Sequence, residues 1–600
     1  MMNYSELYPC SNEKRFAMLL DGLWKFQFDP DSQGIEAHWS EGLPNPISMP
    51  VPASFADFFT SPQARDYCGD FWYETEFYLP EDMAGKKAFV RFGSITHRSE
   101  VFCNGKKLCG HEGGFLPVVA ELGNAARPGE RCRLLVKANN ELSETTLPCG
   151  TVQTLSDGRK LAKPYFDFFN YSGIHRSVWL LLLPEESVED YSVSYELKGG
   201  DALVHYTVET SGDHPVKVTL RDADGTIVAA SCGKTGTLTV RGAKLWKVRN
   251  AYLYQIEIQI TDGETVIDRY TDRIGIRTIA VKGEQILVNG EPVYLKGFGK
   301  HEDFEVLGRG FNWGVAKRDF ECMKWIGANC FRTSHYPYAE EWYRLADEEG
   351  FLVMDEVAAV GMIRSLMNFA DAGAGKAVGF FEGVDCDRLL CVHKQQMEEM
   401  FQRDKNHPCV FAWSLFNEPE TTSVYARDYF RSVFDFARTL DPQHRPLTGA
   451  LVVNSKPDTC LCYHLCDFIC LNRYYGWYLH GGEELGEAKR AFQREMEQWK
   501  AKALNKPFVF TEFGADTLAL EHKLPGVMWT QEYQNECMEM NFSIFDQYPF
   551  VQGELTWNFA DFQTTQGIMR VNGNKKGVFT RARQPKDVAF AFKKRWTSKG

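Results

Sequence analysis

Two short apolar runs in the second half of the chain each end at a glutamate. Residues 410–416 (VFAWSLF) contain one polar side chain, and the chain then turns polar at Asn417 and Glu418. Residues 507–511 (PFVFT) lead in the same way to Glu512. Apolar runs of this length are typical of strands buried on both faces of a parallel sheet. We therefore predict that both glutamates lie at the rim of such a sheet, past the ends of their strands.

The same pattern continues from residue 277 to the C-terminus. Strand-like apolar runs alternate there with stretches of helical periodicity, which is typical of a (β/α)8 TIM barrel. The active sites of such barrels lie at the C-terminal ends of the strands. Counting from residue 292, Glu418 falls near strand four and Glu512 near strand seven. Other polar clusters also fall at predicted strand ends: residues 301–303, 333–335, 355–356, 472–474 and 557–558.

The first half of the chain predicts two β domains. Residues 1–185 contain short strand-like pieces separated by turns, with a strong hairpin signal at Asn104-Gly105, which indicates a sandwich or jelly roll. Residues 186–276 alternate apolar and polar side chains and predict a second, smaller sandwich. Residues 167–178 (DFFNYSGIHRSV) are unusually polar for a sandwich. They are either a buried polar loop or an arm that reaches a site in another domain.

Composition and charge indicate which binding partners and which cellular compartment to expect. The net charge of -13 argues against a nucleic-acid partner or an anionic membrane. The N-terminal residues do not resemble a secretory signal, and no apolar run approaches the length of a membrane span. Seventeen cysteines without such a signal predict reduced thiols and a cytoplasmic protein.

Paired carboxylates on opposite sides of a barrel mouth suit the hydrolysis of a glycosidic bond. In the retaining reaction one carboxylic acid protonates the leaving oxygen and a second carboxylate, about 5 to 5.5 Å away, attacks the anomeric carbon. Burial and a neighbouring carboxylate can keep the acid protonated near neutral pH. Asn417 could hydrogen-bond the sugar 2-hydroxyl. For each glutamate alone, an ordinary ion pair with a nearby Lys or Arg is the alternative interpretation.

Seven further motifs make the chain resemble glycoside hydrolase family 2. They are DGLWKF (21–26), VPASFAD (51–57), FNYSGIHR (169–176), GFGKHED (297–303), RTSHYPYAEE (332–341), LNRYYGWY (471–478) and WNFADF (557–562). Within that family, NKKGVFTR (574–581) is similar to the β-glucuronidases. The resemblance implies a jelly roll, an immunoglobulin-like sandwich and a catalytic barrel. It also implies a retaining β-glucuronidase that needs no cofactor, acts on a small glucuronide and forms a homo-oligomer, commonly a tetramer in relatives.

The resemblance also implies roles for particular residues. Glu418 would be the acid/base, Glu512 the nucleophile, and Asn574 and Lys576 the ligands of the sugar carboxylate. The other positions that match the sugar site of relatives are Asp167, His335, Asn472, Tyr474, Tyr478, Trp557 and Arg570.

Several alternatives stay open. β-Galacturonides carry the same carboxylate, whereas β-galactosides would leave Lys576 without a partner in a partly dry site. Without the family, residues 573–577 are also consistent with a basic surface turn. A third hypothesis is a non-catalytic carbohydrate-binding protein, although both catalytic carboxylates are present.

Two other stretches have an unusual composition. Residues 460–470 contain four cysteines and His464, but the C-x-C-x3-C-x3-C spacing lacks the paired C-x2-C elements of metal sites, so we predict buried free thiols and no metal. Residues 362–382 are rich in Gly and Ala and form either a loop over the barrel mouth or plain surface.

Overall fold

The computed structural model describes residues 7–83, 85–363 and 379–599. Its first part is a β-sandwich with a short helix α1 (Pro62–Arg65). One sheet has the order β1-β12-β5-β8, another has the order β3-β2-β4-β9-β6-β7, and a hairpin pairs β10 with β11. These strands are β1 (Phe16–Leu19), β2 (Gly22–Asp29), β3 (Ile47–Val51), β4 (Asp70–Tyr78), β5 (Lys86–Phe92), β6 (Arg98–Cys103), β7 (Lys106–Glu112), β8 (Val118–Glu121), β9 (Arg131–Asn139), β10 (Gly150–Thr154), β11 (Lys160–Pro164) and β12 (Val178–Pro184).

The predicted hairpin signal at Asn104-Gly105 is confirmed. β6 and β7 pair antiparallel on either side of these two residues. Both residues adopt positive φ (49° and 80°), as a two-residue type I′ turn requires. This turn chemistry therefore sets where the chain reverses at the edge of the larger sheet.

A second, smaller sandwich follows and has its own apolar core. Its sheets have the orders β13-β14-β17 and β16-β15-β18-β19. The alternating residues Ile256, Ile258 and Ile260 all face this core and are fully buried. The strands are β13 (Val188–Lys198), β14 (Asp201–Thr210), β15 (Val216–Arg221), β16 (Ile227–Cys232), β17 (Thr235–Val240), β18 (Tyr254–Asp262) and β19 (Thr265–Ile274).

The rest of the chain is a closed barrel of parallel strands in sequence order. A three-stranded antiparallel sheet precedes it, formed by β20 (Ile279–Lys282), β21 (Gln285–Val288) and β22 (Glu291–Pro292). The barrel strands are β23 (Leu295–Gly299), β24 (Cys330–Arg332), β25 (Leu352–Glu356), β26 (Val410–Asn417), β27 (Leu447–Leu451), β28 (Ile469–Asn472), β29 (Phe508–Glu512) and β30 (Val551–Trp557). The first barrel strand thus begins at Leu295, three residues later than the sequence count assumed, because Pro292 belongs to the small sheet.

Helices surround the barrel strands, and their ends follow simple capping rules. The Asn312 side chain accepts hydrogen bonds from the Gly314 and Val315 N–H groups, and Gly327 with φ of 86° ends the same helix. The described helices of the barrel region are α2 (Trp313–Ile326), α3 (Glu340–Glu349), α4 (Cys386–Asp404), α5 (Val424–Ala437), α6 (Leu485–Ala501), α7 (Gln531–Phe545) and α8 (Asp587–Ser598). Short 3-10 helices lie at Trp39–Glu41, Phe55–Asp57, Gly123–Ala125, Tyr463–Leu465 and Gly482–Glu484.

The predicted fold class, two β-sandwiches followed by a TIM barrel, is confirmed. The predicted domain boundaries at residues 185 and 276 fall between elements, after β12 and after β19, and stay predictions. Most of the segment 362–382, residues 364–378, lies outside the described residues. Within the described ranges, none of the helices has the length and apolar character needed to cross a membrane.

Candidate active site

The two predicted glutamates lie at the C-terminal rim of the barrel. Glu512 is the last residue of β29, the seventh barrel strand, and Glu418 directly follows β26, the fourth. Both side chains are buried and line the same cavity, whose empty volume is about 530 Å³ up to its open mouth. Seven other predicted site residues line it: Asp167, His335, Asn417, Tyr474, Tyr478, Trp557 and Arg570.

The other three predicted site residues lie in this lining or directly against it. Asn574 is the eighth that lines the cavity. Asn472 donates a hydrogen bond to Glu418 (3.1 Å), and Lys576 donates one to the Tyr478 hydroxyl (2.8 Å). The fold therefore brings all twelve predicted residues to one place, although they come from segments spread between residues 167 and 576.

The Glu512 side chain accepts one hydrogen bond at each of its two oxygens. Arg332 donates to its Oε1 (2.5 Å), and the Tyr474 hydroxyl donates to its Oε2 (2.6 Å). The His335 Nε2 lies 3.7 Å from the same Oε1. A guanidinium and a hydroxyl on the two oxygens fix the orientation of the carboxylate and supply a positive partner for its charge.

Glu418 lies in a different environment. Burial, followed by the charge of Glu512, raises the pKa of Glu418 to about 8. Its backbone has φ of 48°, in the left-handed region that non-glycine residues rarely adopt, and such conformations concentrate at functional sites. Because its pKa is raised in this way, Glu418 retains its proton at neutral pH.

A buried ion network lies beneath the two glutamates, and sequence reasoning assigned no site role to its two central members, Arg332 and Glu356. Arg332 is fully buried and also donates to Glu356 (3.0 Å) and Asn417 (3.2 Å). Glu356 in turn accepts from His335 (2.8 Å) and from Ser414 (2.6 Å). Burial alone would raise the pKa of Glu356, but Arg332 and His335 hold it below its usual value. The polar strand ends at residues 332 and 356 were the available signal.

The contacts of Asn417 with Arg332 and Asn472 determine which of its polar atoms remain for a ligand. The Asn417 side-chain oxygen accepts from Arg332 (3.2 Å) and from Asn472 (3.2 Å). Because both acceptor positions are used, the Asn417 amide N–H groups are the part of the side chain left for a ligand. This orientation fits a donor to the sugar 2-hydroxyl.

Two cations lie on one side of the cavity, Arg570 in its lining and Lys576 against the lining residue Tyr478, and each is paired with an aspartate. Arg570 makes a bidentate contact with Asp167 (2.9 and 2.6 Å) and also donates to Tyr478 (2.6 Å). Lys576 donates to Asp516, a buried residue that sequence reasoning also missed. The expectation that a neutral hexose would leave Lys576 unpaired is therefore wrong, because Asp516 already supplies its counter-charge.

Asp167 reaches the barrel on an arm of the first sandwich. The Phe169 N–H donates to the Gln563 carbonyl (2.9 Å), and the Tyr171 hydroxyl donates to Asp303 (2.9 Å). Arg176 donates to Glu302 (3.2 Å). These contacts with two barrel loops support the interpretation of residues 167–178 as an arm rather than an isolated loop.

The cysteine-rich stretch ends in β28, where Cys470 lies close enough to Arg332 and Glu356 to interact with their charges. Cys460, Cys462, Cys466 and Cys470 are buried free thiols, as predicted. A different group in the described chain, Asp347, His407 and Cys409, places possible metal-ligand atoms within 4.8 Å of one another. There His407 Nδ1 lies 2.5 Å from Asp347, Asp347 also accepts from the Cys409 N–H (2.9 Å), and the Cys409 thiol donates to the Tyr343 carbonyl (3.5 Å), so each of these groups already has a partner.

A TIM barrel that holds two buried glutamates at the ends of strands four and seven defines the chain as a glycosidase. More specifically, the chain belongs to glycosyl hydrolases family 2. The TIM barrel domain of that family matches residues 279–599, its sugar binding domain matches residues 18–184, and a further family 2 domain matches residues 185–277.

The chain is similar to proteins named β-glucuronidase along its whole length. It is 41% identical to that of Paenibacillus borealis, with 99% of both chains covered. It is 40% identical to that of Homo sapiens, covering 98% of this chain and 92% of the human one. A solved structure of Ruminococcus gnavus β-glucuronidase in complex with uronic isofagomine is 64% identical, covers 100% of both chains and superposes with a TM-score of 0.99.

Proposed function

We propose that the chain is a retaining β-glucuronidase that releases glucuronic acid from β-D-glucuronides. The observation that carries this proposal is a group of three donors beside Glu418 and Glu512: Arg570 and Asn574 line the cavity, and Lys576 lies against its lining residue Tyr478. Cationic and amide donors recognise a carboxylate through charge-assisted hydrogen bonds. Similarity to named β-glucuronidases, and to one solved with a uronic acid analogue, supports the same substrate class.

The proposed reaction proceeds in two displacements. In the first, Glu512 attacks the anomeric carbon and forms a glycosyl–enzyme ester, while Glu418 gives its proton to the leaving glycosidic oxygen. In the second, Glu418 is ionised and takes a proton from water, which attacks the anomeric carbon and releases Glu512. The raised pKa of Glu418 suits the first role, because the group begins the cycle protonated.

Residues around the glutamates position the sugar in this proposal. Asn417 donates to the 2-hydroxyl, where hydrogen bonds strengthen in the transition state. Asn574 and Lys576 bind the sugar carboxylate, and Asp167 and Arg570 lie beside them. The remaining proposed sugar contacts are His335, Asn472, Tyr474, Tyr478 and Trp557.

The test compares substrates and one charge-removing variant. Initial rates are measured on p-nitrophenyl β-D-glucuronide, β-D-galacturonide and β-D-galactoside for the wild type, Lys576→Met and the neighbouring Lys575→Met. We expect the wild type to prefer the glucuronide and Lys576→Met to lose about ten- to a hundredfold in kcat/KM on it. Lys575 is the matched control because it is the adjacent lysine of the same loop and is only partly buried.

The other outcomes are equally informative. A wild type that prefers the galacturonide keeps the reaction and changes the sugar, since the two substrates differ only at the 4-hydroxyl. Equal losses in both lysine variants would assign the effect to the general electrostatics of this loop and not to a contact of Lys576 with the sugar carboxylate. Tight sugar binding without release of p-nitrophenol would favour the non-catalytic hypothesis.

We also propose a cytoplasmic location and a homo-oligomer. All seventeen cysteines are free in the described chain, which suits a reducing compartment. Family 2 glucuronidases resembling this chain are commonly tetramers. Light scattering coupled to size exclusion gives the mass directly, and a single 68.5 kDa species would contradict the oligomer.

A further inference from the structure

Asp516 is the carboxylate nearest the proposed uronate ligands that the reaction itself does not use. It follows Glu512 by four residues in the loop after β29 and is fully buried. It accepts hydrogen bonds from the Lys576 ammonium and from the Lys575 backbone N–H (2.7 Å), and the Arg570 guanidinium lies 3.5 Å away. A buried carboxylate with three such partners is ionised and held in one position.

Asp516 also links the loop after β29 to the loop that contains Lys575 and Lys576. The Thr517 N–H donates to the Lys575 carbonyl (3.0 Å), next to the Asp516 contact with the Lys575 N–H. The loop after β29 and the loop that contains Lys576 therefore lie in a fixed register. Asp516 consequently fixes both the charge and the position of Lys576.

The charges on this side of the cavity balance before any substrate is present. Lys576 and Arg570 contribute two positive charges, and Asp516 and Asp167 contribute two negative ones. Within the described chain, Asp516 and Tyr478 use two of the three N–H groups of Lys576. A ligand therefore meets a directed donor in a subsite without net charge, rather than a bare cation.

We propose that Asp516 is a specificity-determining residue of the uronate subsite, where it neutralises Lys576 so that small anions are not held by charge alone. This inference rests on the proposed function, because it assumes that Lys576 binds the sugar carboxylate. A subsite of zero net charge discriminates by the geometry of its donors and by the rest of the sugar. Such a subsite also binds the released glucuronate weakly, which favours product release.

The experiment uses Asp516→Asn, which removes the charge but keeps an oxygen that can accept from Lys576. Inhibition by inorganic sulfate and by free glucuronate is measured with p-nitrophenyl β-D-glucuronide as substrate at constant ionic strength. We expect both inhibition constants to fall by about tenfold, because the subsite then carries one net positive charge. We also expect KM for the glucuronide to fall with kcat changed less, a split that general damage to the fold would not produce.

A second variant and a distant control keep the result interpretable. In the double variant Asp516→Asn with Lys576→Gln the subsite is neutral again, so sulfate inhibition is expected to return towards the wild-type value. Asp441→Asn is the matched control, because Asp441 is also a buried aspartate paired with a cation, Arg445. This pair lies at the opposite end of the barrel, where Arg445 is 3.4 Å from the Val410 carbonyl at the start of β26. This variant is expected to leave sulfate inhibition unchanged.

Two outcomes would overturn the inference. The first is equal sulfate inhibition in folded Asp516→Asn and in the wild type. The second is a matching change in Asp441→Asn. If Asp516→Asn does not fold, sulfate-induced thermal stabilisation of the wild type and of Lys576→Gln decides instead. The role predicts little stabilisation of either protein, and a clear stabilisation of the wild type that Lys576→Gln abolishes would show that the charge of Lys576 holds sulfate despite Asp516. A wild type that hydrolyses no glucuronide would reject the proposed function, while the sulfate stabilisation arm would still report on Asp516.

Discussion

The Arg332 guanidinium lies against Glu512 at the floor of the cavity, with Nη2 2.5 Å from Oε1. Its other terminal nitrogen donates to Glu356 (3.0 Å), so one guanidinium bridges two carboxylates that come from different strands. The three side chains are almost entirely buried. Because a buried carboxylate is costly without a partner, this bridge determines where Glu512 can lie and in which orientation.

We predict that Arg332→Lys lowers kcat by about a hundredfold with a small change in KM. Lysine keeps the charge but cannot reach both carboxylates with a planar pair of donors. Steady-state kinetics on p-nitrophenyl β-D-glucuronide provides the measurement. Arg445→Lys, which alters a buried Arg–Asp pair away from the cavity, is the control and is expected to retain kcat. A near-normal kcat in Arg332→Lys would show that Glu512 needs no bridging partner.

The raised pKa of Glu418 predicts the alkaline limb of the pH–rate profile. Glu418 must be protonated to assist the leaving group, and burial with the nearby Glu512 charge raises its pKa to about 8. We therefore expect kcat/KM to fall as the pH rises through about 8, one proton per site. The profile is measured on a substrate with a poor leaving group, where protonation matters most.

Glu418→Gln tests the assignment of that limb. The variant cannot ionise at this position, so its residual kcat/KM on the activated p-nitrophenyl substrate is expected to show no decline near pH 8. An alkaline limb that persists unchanged in the variant would assign it to another group. The wild type and the variant are compared in the same buffers, so that salt effects cancel.

The sequence predicted the barrel because periodicity and strand-end polarity are local properties. Glu418 and Glu512 each follow an apolar run, and the placement of active sites at strand ends then puts them on one rim. The position of Asp167 could be suggested only as one of two alternatives, because the contacts of its arm involve residues far along the chain. The Phe169 contact with Gln563 is an example.

The sequence could not show which side chains at the strand ends form hydrogen bonds or ion pairs with one another. Glu356 was recognised at a polar strand end and Arg332 only as the start of the motif at 332–341, but periodicity does not say which side chains of neighbouring strands face each other. Asp516 lies in a loop without regular pattern, and so its pairing with Lys576 was missed and the lysine was wrongly expected to lack a partner when a neutral sugar is bound. Hydrogen-bond partners depend on side-chain direction at close range, which requires the folded structure.

The raised pKa of Glu418 also predicts how the stability of the protein depends on pH. A carboxyl group whose pKa rises from 4.5 in the unfolded chain to about 8 in the folded protein binds its proton more tightly when folded. Its contribution to the free energy of unfolding is therefore fully present below about pH 4.5 and is lost as the pH rises through about 8. Above that pH, the folded protein must hold a second buried carboxylate beside Glu512.

Glu418→Gln removes this titration while keeping the size and hydrogen-bonding capacity of the side chain. We expect the thermal midpoint of the variant, relative to the wild type, to rise by several degrees between about pH 5 and pH 9. Differential scanning calorimetry across that range measures the difference. In a Glu512→Gln background the rise is expected to be smaller, since the charge of Glu512 is one of the two causes of the shift. A difference that stays constant with pH would mean that Glu418 ionises in the folded protein as it does in the unfolded chain.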